Sequence, residues 1–401
     1  MNNEKPPIAT PQVEEKSKKI QNDKAVDFIQ KYLGSDAGRF SSILTEDLNA
    51  SELASVLLYI FQKRIEKFTP REILDNYKKN RFLRPSRVDA LELAKTRVSL
   101  MESLPSSFEI LEVSPLVPVG SSSVLTNIDS KTVLQTIRSS EVISDMAVSL
   151  ALEVARRRVD NKLWNTSERG NINNIDLAAS YKELRTQNIS LEYYNQHFSS
   201  FTLASSGRYI RHEGFEKEAL IRHLEYWLDY LNKFDDAGYG IKKIRVFISD
   251  IKILESLIDT GIIDRESVIG QTRKKTDDLF ETAKIGIPGK ITDINALEYT
   301  GTNKDLLYSI GTLKRLEEKQ IVLLKNKFPQ VEFVYDLSRL AGIGYYNGIC
   351  YKIKATNENG VERSLIDGGA SDWVAKLTSD KKECFFSSGF GLEVFINHFK
   401  V

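Results

Sequence analysis

Cysteine is nearly absent: of 401 residues only Cys350 and Cys384 carry a thiol, each inside an apolar run of strand character. That argues against a disulfide framework and fits buried free thiols in a reducing cytosol. The four histidines, His197, His212, His223 and His398, show no metal-ligand spacing, so no zinc site is expected. No apolar run approaches the length of a bilayer span, and the first residues lack a signal-peptide core; no membrane role is expected. Net charge is only +1, so no global field draws the chain to RNA or to a lipid surface. The run Gly120-Ser121-Ser122-Ser123 has no P-loop lysine and reads as a plain loop rather than a phosphate cradle. What remains is a hydrophobic fraction of 41% and a charged fraction of 28%, those of a soluble globular protein. The length allows one large domain with additions, or two domains.

Residues 1–22 are polar, proline-containing and rich in Lys and Glu, and read as a mobile tail. A helical extension over residues 23–85 follows. Its helices are expected at Lys24–Leu33, at Ala50–Lys67 behind an Asn49 or Ser51 cap, and at Pro70–Lys79. Leu53, Val56, Leu57, Ile60, Phe61 and Ile65 form one apolar stripe, expected to pack against the main domain. Residues 86–401 read as the core. A helix runs from Ser86 to about Leu104, then a strand from Phe108 to Val113 that ends at Pro115 and Pro118. Thr132–Arg138 reads as a strand, and Val148–Arg158 as a helix ending in a solvated Arg156-Arg157-Arg158 run. Strands are expected at Ile189–Tyr194, Phe198–Ser206 and Lys242–Ser249, with a long helix at Phe215–Phe234. Residues 251–328 read as a mostly helical insertion, closing with one helix from Thr302 to Lys327 before Pro329.

The most informative stretch is Tyr335–Lys354, Y-D-L-S-R-L-A-G-I-G-Y-Y-N-G-I-C-Y-K-I-K. Gly342, Gly344 and Gly348 let the backbone bend or lie close to another element. Period-2 alternation would turn Tyr345 to a pocket and Tyr346 to the opposite side, or the reverse. The pair reads either as a glycine-kinked core strand or as the apolar, hydroxyl-bearing wall of a small-ligand pocket.

This stretch resembles the histidine-pocket motif R-G-L-D-Y-Y-T-G of histidyl-tRNA synthetases. The aligned run Ala341-Gly342-Ile343-Gly344-Tyr345-Tyr346-Asn347-Gly348 keeps the tyrosines and the flanking glycines; Ala341 replaces the arginine and Gly344 the aspartate. Other segments follow in the same order as in that family. The helix–strand–proline unit around residues 86–118 resembles the first class II motif, which builds the dimer interface there. Glu141–Ala147 resembles L-R-P-E-G-T, with Asp145 on the acid that grips the amino-acid ammonium; Asp145 also suits a plain helix N-cap. The two expected strands around residue 195 resemble the second motif, with Leu191-Glu192-Tyr193-Tyr194 on the arginine-bearing F-R-x-E run and a shortened loop. Asp367-Gly368-Gly369-Ala370-Ser371-Asp372 resembles the G-G-R-Y-D turn. Cys384–Val394 resembles the third motif, G-F-G-L-E-R, keeping Glu393 and placing Val394 on the arginine.

The resemblance implies an α+β fold: a class II synthetase-like, mostly antiparallel sheet flanked by helices, with the N-terminal extension and the helical insertion added. It also implies a homodimer; since the chain stops at Val401, no anticodon-binding domain is expected to follow. It makes Asp145, Tyr345, Tyr346, Gly348, Glu393 and Arg208 the candidate ligand-binding residues, although Arg208 and Arg211 equally suit surface pairing with Glu213 or Glu216. Three phosphate- and substrate-clamping arginines of the family fall on other residue types here. Activation of an amino acid on ATP is therefore not expected. The implied reading is a regulatory paralogue, similar to the regulatory subunit of short-form ATP phosphoribosyltransferase. It would bind an amino-acid-like molecule or a partner enzyme, without a cofactor, and with no RNA role expected. The alternatives are a purely structural dimer, or an ATP- and magnesium-dependent carboxylate-activating ligase or transferase. In the ligase, Arg138, Arg208 and Arg339 would replace the missing arginines.

Overall fold

Two reciprocal caps punctuate the N-terminal helices. Asn49 accepts from the backbone of Ser51 and Glu52, and the Glu52 carboxylate accepts from Asn49 N at 2.9 Å. Thr69 and Glu72 repeat the arrangement, with Pro70 at the first helical position. Such boxes satisfy backbone donors that a helix start leaves open, which is why these boundaries are readable from sequence. The computed structural model describes residues 24–80, 82–126, 128–160, 174–186, 196–211, 214–233, 238–264, 280 and 285–400. The expected tail, and the expected strand Ile189–Tyr194, lie outside these residues.

The chain divides into two compact units, residues 1–67 and 68–401. The smaller carries helices α1 (Lys24–Leu33), α2 (Ala37–Ser42) and α3 (Ala50–Ile65). Among its described residues only Ala37 is buried. No helix among the described residues of the chain is long and apolar enough to cross a membrane.

The larger unit begins with α4 (Pro70–Lys79) and α5 (Ala90–Glu102), the latter capped by Asp89. Its strands are β1 (Phe108–Leu111), β2 (Leu116–Pro118), β3 (Ser140–Val142), β4 (Ile175–Leu184), β5 (His197–Arg208) and β6 (Ile241–Asp250). They continue with β7 (Lys290–Ile291), β8 (Val331–Asp336), β9 (Ile349–Asn357), β10 (Glu362–Ser371) and β11 (Glu383–Gly391). Nine of them form one sheet in the order β1-β4-β5-β11-β10-β9-β6-β8-β7, and β2 pairs with β3. Only β1–β4 and β6–β8 are parallel; every other pairing is antiparallel. The fold is thus α+β with a mostly antiparallel sheet.

Period-2 alternation sorts the sheet's side chains to two cores. One contains Leu177, Ala179 and Phe385, packed with α7 (Met146–Asp160) and with Trp373. The other contains Phe201, Leu203, Phe386 and Phe390, packed with α8 (Gly214–Lys233) through Trp227 and with Phe395. His223 of α8 is fully buried there between Ser205 and Ser388, at 2.9 and 2.8 Å. Burial, with Arg222 adding repulsion, pushes its pKa down to about 3, so it stays neutral.

Several expectations are corrected. Ser121–Thr126 is a short helix, α6, rather than a loop. Residues 132–138 form no strand; within them only Gln135 bridges to Glu141. Asp367–Ser371 continues β10 instead of turning, because β9 and β11 hydrogen-bond to both of its sides. At Gly368 a Cβ would stand 2.9 Å from the Ser387 carbonyl, so only glycine lets those strands close up. Arg158 is not solvated: its side chain is 1% exposed and faces Glu383 at 3.2 Å. β5 pairs with β4 from Ile175↔Ser206 to Leu184↔His197, a strand that the sequence reading did not include.

Candidate functional site

The connection from β8 to β9 builds the site. Tyr345 N and Tyr346 N both donate to the Gly342 carbonyl, at 3.0 and 2.8 Å. Gly342 and Gly344 have φ of +105° and +75°, conformations that suit glycine. Because this run is a tight turn and not a strand, the two tyrosines do not alternate between faces. Both line one cavity of about 500 Å³, which corrects the expectation of opposed rings. Their ring centroids are 4.8 Å apart at 81°.

The Tyr346 ring is held on two sides by glycine. A Cβ at Gly342 would lie 2.5 Å from its Cδ2, and one at Gly369 would lie 2.6 Å from its Cδ1. Gly342→Ala should therefore combine backbone strain with displacement of the ring. The expected loss is about 1–3 kcal/mol from the strain alone, read as a lower urea midpoint.

Each tyrosine reaches a carboxylate. Tyr345 Oη donates to Asp145 Oδ2 at 2.7 Å, while Asp145 Oδ1 accepts from Ala147 N at 3.0 Å. Asp145 therefore caps α7 and presents its other oxygen to the cavity, the two roles that the sequence left open. Glu183 of β4 lies nearby, 4% exposed, accepting from Ser200 Oγ and from Arg185 Nη2. Arg185 also donates from Nε to the Ser144 carbonyl at 2.9 Å and lies over the Phe198 ring. Burial raises the Glu183 carboxyl to about 7; Arg185 offsets part of the rise, and Asp145 adds to it.

On the other side of the pair, Tyr346 Oη donates to Asp367 Oδ1 at 2.9 Å. Arg339 Nη2 donates to the same oxygen at 2.6 Å, and Lys352 Nζ stands 3.2 Å from Oδ2. Burial alone would raise the Asp367 pKa; Arg339 and Lys352 outweigh it and hold the carboxyl below its usual range. Burial, with the adjoining carboxylates, pushes both tyrosine hydroxyls well above their ordinary pKa, so both act as neutral donors.

Of the six candidates, the fold brings Asp145, Tyr345 and Tyr346 together at the cavity. Gly348 does not line it; its carbonyl accepts from Ile251 N at 3.1 Å, tying the β8–β9 turn to the end of β6. Arg208 sits at the opposite end of β5 and pairs with Asp380 and Glu383, at 2.5 and 2.7 Å. Glu393 is buried and accepts from Ser86 Oγ and Ser199 N, fastening the segment before α5 to the sheet. Arg138 is exposed outside the cavity, so of the three substitute arginines only Arg339 lines it. Glu183, Arg185 and Asp367 are site residues that the sequence reading missed. The first two lie in Y-K-E-L-R, where residues 181, 183 and 185 would share one face of a strand, but β4, which ends at Leu184, does not read as a strand from the sequence alone.

In fold, the sheet and its flanking helices are similar to class II synthetase-like proteins of the histidyl-tRNA synthetase kind. A histidine–tRNA ligase subunit from Alicyclobacillus acidocaldarius superposes with a TM-score of 0.56 at 13% identity, over 78% of this chain and 94% of its own. An ATP phosphoribosyltransferase regulatory subunit/histidyl-tRNA synthetase from Bacillus halodurans gives 0.54 at 14% identity, over 76% and 78%. Histidyl-tRNA synthetase from Nostoc sp. PCC 7120 gives 0.52 at 16% identity, over 78% and 73%. No protein-family model and no curated protein sequence matches the chain. At these identities the likeness is one of fold.

Proposed function

We propose that this chain is a cytoplasmic, homodimeric regulatory paralogue that binds an amino-acid-like ligand in the tyrosine-walled cavity and does not activate amino acids. The observation that carries this reading is the state of the cavity's cations. Among the described lining residues, the cationic side chains are Arg185 and Arg339, and each already faces a carboxylate, Glu183 and Asp367. A triphosphate needs clamps that answer to its own charge, and removing one such donor costs about 3 kcal/mol of transition-state stabilisation. Val394 packs against the main core, and Ala341 offers a methyl at the cavity. What the cavity retains is suited to a small zwitterion: Asp145 with Tyr345, and two charged clusters of opposite balance.

Two further observations support the assembly. Leu91, Val98, Ile110 and Leu116 leave apolar surface exposed in the segment that resembles the family's dimerisation motif. The Bacillus halodurans neighbour carries a regulatory-subunit description, which favours an enzyme as the protein partner. No cofactor is required; ATP and magnesium enter only if the cavity is a rearranged ligase site.

Pyrophosphate exchange with ATP, magnesium and each amino acid should stay at background; exchange with any one of them would establish the ligase instead. A thermal shift with at least one amino acid is expected, and Asp145→Asn, which keeps a capping side chain but removes the charge, should reduce it. A shift with none would leave a structural dimer.

A further inference from the structure

We infer that the ligand of this cavity is an acidic amino acid, held by its ammonium at Asp145 and by its side-chain carboxylate at Arg339. The inference rests on the reading of the cavity as a ligand site and narrows the ligand class. The tyrosine pair separates two clusters. On one side Asp145 presents a carboxylate oxygen to the cavity, with Glu183 and Arg185 paired beside it, an arrangement suited to an ammonium group. On the other, Arg339 and Lys352 share the single anion Asp367, leaving one positive charge over. An amino acid with a neutral side chain satisfies the first cluster and brings nothing to the second.

Arg339 supplies the second argument. It is 6% exposed, lines the cavity, and is held from two sides. Its Nε donates to the Ala341 carbonyl at 2.8 Å, and its Nη2 to Asp367. Its guanidinium carbon lies over the Tyr346 ring, 5.6 Å from the ring centre. Its Nη1 is buried and has no hydrogen-bond acceptor among the described residues. A buried guanidinium nitrogen without an acceptor is costly, and a cavity-lining arginine that retains one is poised for an anion from outside the chain. Arginine offers planar, two-pronged recognition of a carboxylate. The two balances together select a ligand that carries its second carboxylate away from its ammonium, as aspartate, glutamate and 2-aminoadipate do.

Isothermal titration calorimetry on the full chain tests this, with L-aspartate, L-glutamate, L-2-aminoadipate, the amides L-asparagine and L-glutamine, and L-histidine. One of the acids should bind about tenfold or more tighter than its amide or than histidine, because a site built around a charged partner rejects the isostere that lacks it. Arg339→Gln should cost that acid about tenfold while leaving the amides within about threefold. Lys352→Met, a milder change to the same cluster, should narrow the acid–amide ratio in the same direction. Equal binding of acid and amide by the unaltered protein overturns the inference but leaves the ligand site standing, as does an equal loss for both in Arg339→Gln. Binding by no amino acid overturns both.

Discussion

Replacing Glu383 with glutamine should destabilise the larger unit by about 3–5 kcal/mol, the largest single effect expected in this protein. The Glu383 side chain is 2% exposed, that of Arg158 1%. The pair lies beneath the start of β11, where Arg208 also reaches Glu383 at 2.7 Å. The Arg158–Glu383 contact is an ion pair without good hydrogen-bond alignment, and the rest of the arginine's support includes the Ser206 carbonyl at 3.3 Å. Its guanidinium is desolvated first of all, which lowers its pKa, and the Glu383 charge is what opposes that cost. Glutamine has the same shape but removes the charge that opposes the cost of burying this cation. The double variant Glu383→Leu with Arg158→Met removes both charges and should recover most of the loss, since well-packed apolar groups commonly replace a buried pair at little cost. Urea unfolding of the three proteins measures this directly. If Glu383→Gln and the double variant unfold at one midpoint, the cation is not the source of the effect.

The second large effect is a pH dependence centred on Glu183. Its carboxyl ionises near 7 in the folded protein, against 4.5 for an unperturbed glutamate. Between those values the folded state holds a proton that the unfolded state has released. Stability is therefore greatest below about 4.5 and declines as pH rises through 7, by about 3 kcal/mol in total from this group. Other carboxylates, Asp367 among them, run in the opposite sense at acid pH, since their folded pKa values are depressed. The clean observable is consequently a difference. The stability of Glu183→Gln relative to the unaltered protein should rise from pH 5 to about pH 7 and level off by pH 8, and a flat difference would place the Glu183 charge outside this balance. An ammonium group bound beside Asp145 would favour the ionised form of Glu183, so ligand binding in the same window should release protons and tighten with rising pH.

Legibility in the sequence followed local chemistry. Helix starts at Asn49 and Pro70 are legible because a capping box and a first-turn proline are local signals. The strand I-K-K-I-R-V-F-I-S alternates and is found at Ile241–Asp250. The third motif's strand, glycine and helix appear as Glu383–Gly391 followed directly by Leu392–Phe399. The β4 strand was not legible as such: D-L-A-A-S-Y-K-E-L mixes small, polar and charged residues, and its pattern becomes clear only once β1 and β5 flank it. Missing that strand hid Glu183 and Arg185. The glycines of Asp367–Asp372 suggest a turn locally, yet they are required by strands that close in from both sides, which is a tertiary cause. Arg158 reads as a surface charge beside Arg156 and Arg157, and only its distant partner Glu383 explains its burial.

The Tyr346 ring, gripped between the backbones at Gly342 and Gly369, has a consequence for how the site could diverge. Most binding pockets retune their selectivity by letting a wall residue rotate into a neighbouring rotamer. Here that freedom is gone, because the obstacle on either side is main chain. Altering the width of this recess would mean moving the turn or the strand itself, so new ligand preferences are far easier to reach through the charged groups at its two ends than through its aromatic wall.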